Sequence, residues 1–299
     1  DYLIKPVNPN QILLSLKKNL KTKDLVSQKN AMDYQMEFRQ IGMRLSDRLD
    51  YNEWSDIYST LVNWELKLEE GGDDSMKEIF DMQKKEANTQ FCKYIDKNYQ
   101  DWLDPNEDAP IMSHNLLSKK VMPTIAKKPV FLIVIDNLRL DQWKVLKPLM
   151  NEYFNVESEE QFYSILPTAT HYARNALFAG LMPLDIEKKH PNLWLNESDE
   201  GGKNMNEAEL FQTNLKRHGK NVKMGYHKII KQDFAKKMVE RFNDLAKNDV
   251  TVLVYNFVDM LSHARTEMEV IKELADDESA YRSLTKTWFE HSPLKDMLR

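Results

Sequence analysis

The chain has a single cysteine, Cys92, among its 299 residues. One thiol excludes an intramolecular disulfide framework and suits a reducing compartment. Missing too is any apolar stretch approaching the roughly 20 residues that a membrane span needs. The opening residues, Asp1-Tyr2-Leu3-Ile4-Lys5-Pro6, lack the basic start and apolar core of a secretory signal. A cytoplasmic protein without membrane insertion is expected. There is no internal repeat and no low-complexity tract. Net charge is small: 42 basic against 47 acidic residues give -5, which argues against bulk attraction to long nucleic acid. With 41% hydrophobic and 30% charged residues the chain should be globular, and its length favours two or more compact units.

One stretch departs from this balance. Between Lys216 and Arg241 lie Lys216, Arg217, Lys220, Lys223, Lys228, Lys231, Lys236, Lys237 and Arg241, against only Asp233 and Glu240. The run reads either as solvated helix faces or as a patch for a short polyanion.

Tyr2 to Ile4 reads as the last half of a buried strand, with Lys5-Pro6 as the turn after it. Val7-Asn8-Pro9-Asn10 then supplies the start of a helix through Gln11 to Lys18. This order resembles the closing strand, Lys-Pro turn and final helix of a bacterial response-regulator receiver domain, and sets a first expected unit at 1–20. The resemblance implies that Lys5 is the switch residue pairing with a phosphoryl group, with Mg2+ in the complete receiver and the phospho-acceptor aspartate upstream of residue 1. From 21 to 128 the pattern is helical. Tyr34, Phe38, Ile41 and Leu45 recur at three or four, as do Trp54, Ile57, Leu61 and Trp64, and Phe91, Ile95 and Tyr99. A helical-bundle connector is expected, its stripes forming core, with breaks at Gly71-Gly72-Asp73-Asp74 and Asp104-Pro105-Asn106-Glu107.

After Lys127-Lys128-Pro129 the period changes. Val130 to Ile135 has the composition of a strand buried on both faces of a parallel sheet. Beyond it the pattern predicts a helix from Leu138 to about Asn151, a strand near Phe162 to Leu166 and a helix from Thr170 to Gly180. Helices around Glu207 to His218 and Ile229 to Lys247 follow, then a strand at Val250 to Val258 and a helix from about His263. Such alternation predicts a doubly wound α/β domain over 129–299.

In an open α/β sheet, ligands gather outside the carboxyl ends of the strands. Asp136 follows the first strand, where a carboxylate serves either as a ligand or as a cap for the next helix. Thr170 opens a helix in Leu166-Pro167-Thr168-Ala169-Thr170, and its hydroxyl fits an N-cap or a nucleophile. The second role requires a metal to lower its pKa. Asp259 and His263, four apart after a strand, can hold one ion if the helix begins at once. Arg174 is placed one turn into the Thr170 helix to grip a phosphate oxygen, and Asn175 to donate to the same oxygen. Asn137 and Arg139 shape the turn after Asp136. His171, His190, His218 and His227 read as structural or surface residues. The three strand ends together predict a metal-dependent phosphoryl-transfer enzyme.

Ile135-Asp136-Asn137-Leu138-Arg139, then Pro167-Thr168-Ala169-Thr170, then Asp259 with His263, is an order that resembles the alkaline phosphatase superfamily. Val134 to Trp143 resembles its PglZ-domain branch. With a receiver end and a helical connector before it, the whole chain is similar to the PorX-type response regulators associated with type IX secretion. The resemblance implies an alkaline phosphatase-like fold over 129–299 and two zinc ions, with Asp136 and Thr170 on one and Asp259 and His263 on the other. It further implies Thr170 as nucleophile and hydrolysis of phosphodiester bonds in short or cyclic oligonucleotides. As partners it implies a sensor histidine kinase, an extracytoplasmic-function sigma factor and a second copy in a phosphorylation-dependent homodimer. The superfamily's later Ser-Asp-His-Gly stretch and final histidine do not occur before Arg299, so further metal ligands are expected beyond it and the PglZ domain is expected to be incomplete there. His291 reads as a helix end rather than a ligand. The competing expectation is a non-catalytic signalling adaptor that docks a sigma factor or secretion component through the PglZ-like domain.

Overall fold

The computed structural model describes residues 9–71, 76–104, 108–125, 128–196 and 198–298. They form two compact units that part between Ala109 and Pro110. Lys5, Pro6 and the strand expected from Tyr2 to Ile4 lie outside the described residues.

The first unit carries helices α1 (Pro9–Leu45), α2 (Tyr51–Gly71) and α3 (Lys77–Asn98). No proline or glycine occurs from 10 to 41, so nothing interrupts α1. The junction placed after residue 20 therefore falls inside one continuous helix. The apolar stripes meet in a core of Tyr34, Ile41, Trp54, Ile57, Leu61, Trp64 and Phe80. Two polar groups inside it satisfy each other: the Tyr34 hydroxyl donates to Gln83 Oε1 at 2.9 Å, and Gln83 Nε2 donates to the Phe38 carbonyl at 2.9 Å.

The second unit contains α4 (Ser113–Leu116), β1 (Val130–Ile135), α5 (Leu140–Met150), α6 (Thr170–Ala179), α7 (Pro183–Lys189) and α8 (Glu207–Arg217). It continues with β2 (Met224–Ile229), α9 (Gln232–Glu240), α10 (Phe242–Leu245) and β3 (Val250–Tyr255). Helices α11 (Phe257–Glu267), α12 (Glu269–Leu274), α13 (Glu278–His291) and α14 (Pro293–Met297) complete it. The expected connector ended at 128, but Leu117, Met122 and Ile125 pack into this unit's core, and the division lies at 109/110.

The strand order is β1-β3-β2, all parallel, and β3 is buried along its whole length. Alternation sends Val130, Leu132, Val134, Val250, Val252 and Val254 to one face, against Phe178 and Ala179 of α6 and Leu210, Phe211 and Leu215 of α8. Phe131, Ile133, Ile135, Leu253 and Tyr255 face the other way, against Leu146 of α5, Ala235 and Met238 of α9 and Phe289 of α13. A helix layer covers each face, as a parallel sheet requires. Fully burying each such aliphatic side chain contributes about 1.5–3 kcal/mol.

Three local readings change. The run from Phe162 to Leu166 is extended but makes a single bridge, Tyr163 with Met112. Within it Ile165 N donates to Ser113 Oγ at 3.2 Å, and just before it Glu159 accepts from Trp143 Nε1, Lys144 and Lys147 of α5 at 2.9, 2.5 and 2.7 Å. Ile229, expected to begin a helix, ends strand β2, and the helical stretch starts at Gln232 and divides at Arg241. Tyr226, His227 and Lys228 disguise β2 because a polar-looking strand offers no apolar alternation. Finally, β3 stops at Tyr255 rather than Val258, and α11 starts at Phe257, well before His263.

Helix α6 ends at Gly180, whose φ of 61° is left-handed. A Cβ there would lie 2.5 Å from Asn214 Oδ1, and Asn214 Nδ2 donates to the Phe178 carbonyl at 3.0 Å. Gly180→Ala should therefore destabilise the protein by about 2–3 kcal/mol, combining backbone strain with a displaced buried hydrogen bond. Urea unfolding measures this, and a loss under about 0.5 kcal/mol would mean that Asn214 yields freely.

Candidate functional site at the carboxyl edge of the sheet

Ile135, Tyr255 and Ile229 are register partners, so whatever follows each strand is brought to one edge. The Asp136 N–H donates to the Tyr255 carbonyl at 2.9 Å, extending the ladder by one residue. By the alternation of β1 its side chain then falls on the α6/α8 side. Asn137, with φ 61°, turns the chain away, and Arg139 N donates to Gln142 Oε1 at 2.9 Å to start α5.

Arg174 of α6 and Glu207 of α8 are both buried beside this carboxylate. Arg174 Nη1 lies 2.5 Å from Asp136 Oδ2. The other side of the same guanidinium grips Glu207, through Nε to Oε1 and through Nη2 to Oε2 at 3.1 Å. Strand β2 adds two groups of one parity: the Tyr226 hydroxyl donates to Glu207 Oε2 at 2.5 Å, and Lys228 Nζ lies 3.9 Å from the same oxygen. Burial raises the Asp136 pKa, and the charges of Asp259 and Glu207 add to the rise while Arg174 opposes it. Burial also lowers the Lys228 pKa, opposed by Glu207. For Arg174, burial works against the charge, but the hydrogen bond and charge of Glu207, with Asp136, more than restore it.

Thr170 is the first residue of α6; Ala169 occupies the N-cap, and no side chain caps the helix. The Thr170 carbonyl accepts from Asn204 Nδ2 at 3.2 Å, and that amide lies 3.3 Å from Glu207 Oε1, which ties the helix start to the charged cluster. Asp259 sits in the first turn of α11, and its charge helps to raise the Asp136 pKa. His263 is exposed, with Nε2 3.8 Å from Asp259 Oδ1. Asn175 Nδ2 donates to the Lys203 carbonyl at 3.1 Å, while its Oδ1 is buried without a partner. The edge thus brings Asp136 and Arg174 together and links Thr170 through Asn204, while Asp259 has His263 beside it. Arg174, placed by the sequence on a substrate phosphate, is instead enclosed between two carboxylates. His291 is exposed at the end of α13.

Glu207, Asn204, Tyr226 and Lys228 escaped the sequence reading. Glu207 follows Asn206 at a helix start, where an acidic residue is explained by the dipole alone. Tyr226 and Lys228 did carry a signal, the period of two, but within a run too polar to read as a strand. The basic run containing Lys228 is spread over the end of α8, β2 and α9. Of its members, Arg217 donates to the Ala179 carbonyl at 2.7 Å.

Among the described residues no group of three or more His, Cys, Asp and Glu is arranged to hold a metal ion. Asp136 Oδ2 is engaged by a guanidinium, and Asp259 with His263 supplies two donors, one on an exposed ring. The side chains as arranged do not fit a two-zinc set.

Two family models match the chain. Residues 116–298 match the BREX system PglZ alkaline phosphatase-like domain, and residues 24–103 match the PorX response regulator linker domain. No curated protein matches it.

Because Glu207 accepts from Arg174 Nε and Nη2 and from the Tyr226 hydroxyl, its removal leaves those buried donors without a partner, with only Nη1 still held by Asp136. Glu207→Ala should cost about 3–5 kcal/mol in urea unfolding. A cost below about 1 kcal/mol would show that Arg174 finds solvent once released.

Proposed function

Because the chain belongs to the PglZ alkaline phosphatase-like domain family and is a PorX-type protein by its linker, we propose that it is a response regulator whose effector domain hydrolyses phosphodiester bonds in short or cyclic oligonucleotides. The reaction centre in this proposal is the carboxyl edge of the β1-β3-β2 sheet. The observation that carries it is the register, which gathers Asp136, Lys228 and the start of α11 at one edge. The tie from Asn204 to the Thr170 carbonyl brings in the start of α6.

In the proposed reaction the Thr170 hydroxyl oxygen bonds to phosphorus as the bond to the leaving alcohol oxygen breaks, the hydroxyl proton ending on that alcohol through solvent; water then hydrolyses the phosphothreonine ester and restores the hydroxyl. The N-terminus of α6 offers free backbone N–H groups and the positive end of the helix dipole to an anion. Lys228 adds a cation at the same edge, its carbon stem half-buried and its ammonium near the Asn204 carbonyl at 3.4 Å. Asn204, bonded to both Thr170 and Glu207, holds the helix start in place. The zinc that the resemblance implied does not fit the side chains as arranged, and no step here passes through it. Control by a sensor histidine kinase, phosphorylation-dependent dimerisation, a sigma-factor partner, a part in type IX secretion and a cytoplasmic setting belong to the same proposal. They rest on the linker match.

The adaptor reading draws on one observation, the engagement of Asp136 by Arg174. Turnover of bis(p-nitrophenyl) phosphate separates the two. Hydrolysis by the wild type, with kcat at least about 100-fold lower in a folded Thr170→Ala variant, is the expected outcome. Near wild-type turnover in the variant would remove Thr170 from the nucleophile role. No turnover in either protein, with zinc supplied, would favour the adaptor.

A further inference from the structure

Three arginines share two carboxylates on the α5/α13 side of the sheet. Arg282 of α13 is buried and donates to Asp141 Oδ2 at 2.7 Å, and Gln142 Nε2 donates to the Thr285 hydroxyl at 2.8 Å. These two bonds already join α5 to α13, so the join does not account for the other two arginines. Arg139, at the start of α5, and Arg265 of α11 both lie over the Tyr281 ring, their guanidinium carbons 5.0 and 5.4 Å from its centroid. Stacking orients a guanidinium through its face and leaves its rim of donors for hydrogen bonding. Glu278 stands between the two: Oε2 lies 2.5 Å from Arg139 Nη1, and Oε1 accepts from Arg265 Nη1 at 3.0 Å. Its side chain is 40% exposed, so it can swing out into solvent. The cluster lies at the carboxyl edge. Arg139 follows the end of β1 by four residues, and the Tyr281 hydroxyl donates to the Val258 carbonyl, in the first turn of α11, at 3.1 Å.

We propose that the Glu278 carboxylate occupies a phosphate subsite: a terminal phosphomonoester of a short oligonucleotide takes its place between Arg139 and Arg265, while the diester to be cleaved lies at the start of α6. Two oxygens set between guanidinium donors is the arrangement that a phosphate makes with arginine. The charge count selects the kind of phosphate. With Glu278 in place, three arginines and two carboxylates leave one positive charge. A terminal phosphate carries about 1.5 to 2 negative charges at pH 7. Exchanged for the single charge of Glu278, it brings the count close to zero. An internal diester carries one charge and leaves the surplus uncovered. The subsite therefore favours an oligonucleotide with a phosphorylated end over a cyclic one, which has no end. This rests on the phosphodiesterase reading for the class of ligand but not for its test, which reads binding and not turnover.

The experiment is calorimetric titration of the 299-residue chain with diadenylate bearing a 5′-phosphate and with the same dinucleotide lacking it, at one fixed ionic strength. Every protein carries Thr170→Ala, which keeps the ligand intact, and circular dichroism checks folding. The parent should bind the phosphorylated form at least about tenfold more tightly, the scale of one charged hydrogen bond. Arg265→Gln should bring the two affinities together. Glu278→Gln should tighten the phosphorylated form several-fold and leave the other unchanged, because the competing carboxylate is gone. Lys236→Gln removes the same charge as Arg265→Gln, but from α9, and should keep the preference. Equal binding of the two dinucleotides by the parent, no binding of either, or loss of the preference in Lys236→Gln would overturn the proposal. If Arg265→Gln does not fold, Glu278→Gln decides: unchanged or weaker binding of the phosphorylated form would mean that Glu278 serves the fold alone. A preference for the phosphorylated end, with no diester turnover in the protein that retains Thr170, would sink the phosphodiesterase reading and leave the subsite standing. Turnover without the preference would do the reverse.

Discussion

Arg174 lies between two carboxylates, Asp136 and Glu207, inside the fold, and the arrangement of the sheet edge follows from that. Unit charges about 4 Å apart interact by roughly 4 kcal/mol at an effective dielectric of about 20, several times their strength in water. Each group has also given up hydration, so none can be removed without leaving another uncompensated. Because the three groups come from β1, α6 and α8, the ion cluster joins three elements at the point where the sheet ends. Tyr226 and Lys228 extend the cluster to β2, the opposite outer strand from β1.

The apolar part of the domain makes that cluster possible. Strand β3, buried along both faces, has besides its terminal Tyr255 one polar side chain, Thr251, whose hydroxyl is engaged by the Leu245 carbonyl. In β1, six apolar residues precede Asp136. Parallel pairing then puts all such ends on one side.

Part of this was legible in the sequence, and for identifiable reasons. The run from Val130 to Ile135 announced a buried strand because helix and strand differ in length and in their use of β-branched residues. The aromatic stripes of the first unit announced helices because a period near 3.6 survives over many turns, and the core around Tyr34 uses those stripes. Strand β2 was hidden, since Tyr226 and Lys228 carry polar ends that reach Glu207, even though the Tyr226 ring packs on Phe178. The segment before Pro167 read as a strand because its residues favour extension, yet a single bridge, Tyr163 with Met112, makes no strand of a sheet. The contact of Glu159, just before that segment, with Lys144 and Lys147 of α5 joins charged side chains that no period reveals.

For the site, the sequence by itself determined which residue types stand at strand and helix ends: Asp136 after β1, Thr170 at the start of α6, and Asp259 four residues before His263. These are local properties, set by periodicity and by the neighbouring residues along the chain. Only the tertiary structure decided what each faces. Arg174 and Glu207 are separated by 33 residues, and Arg174 and Asp136 by 38. Nothing along the chain relates them; the packing of α6 and α8 on one face of the sheet does. An exposed arginine and one held between buried carboxylates look alike in sequence, because the difference lies in the surrounding dielectric and in the partners that folding brings within reach.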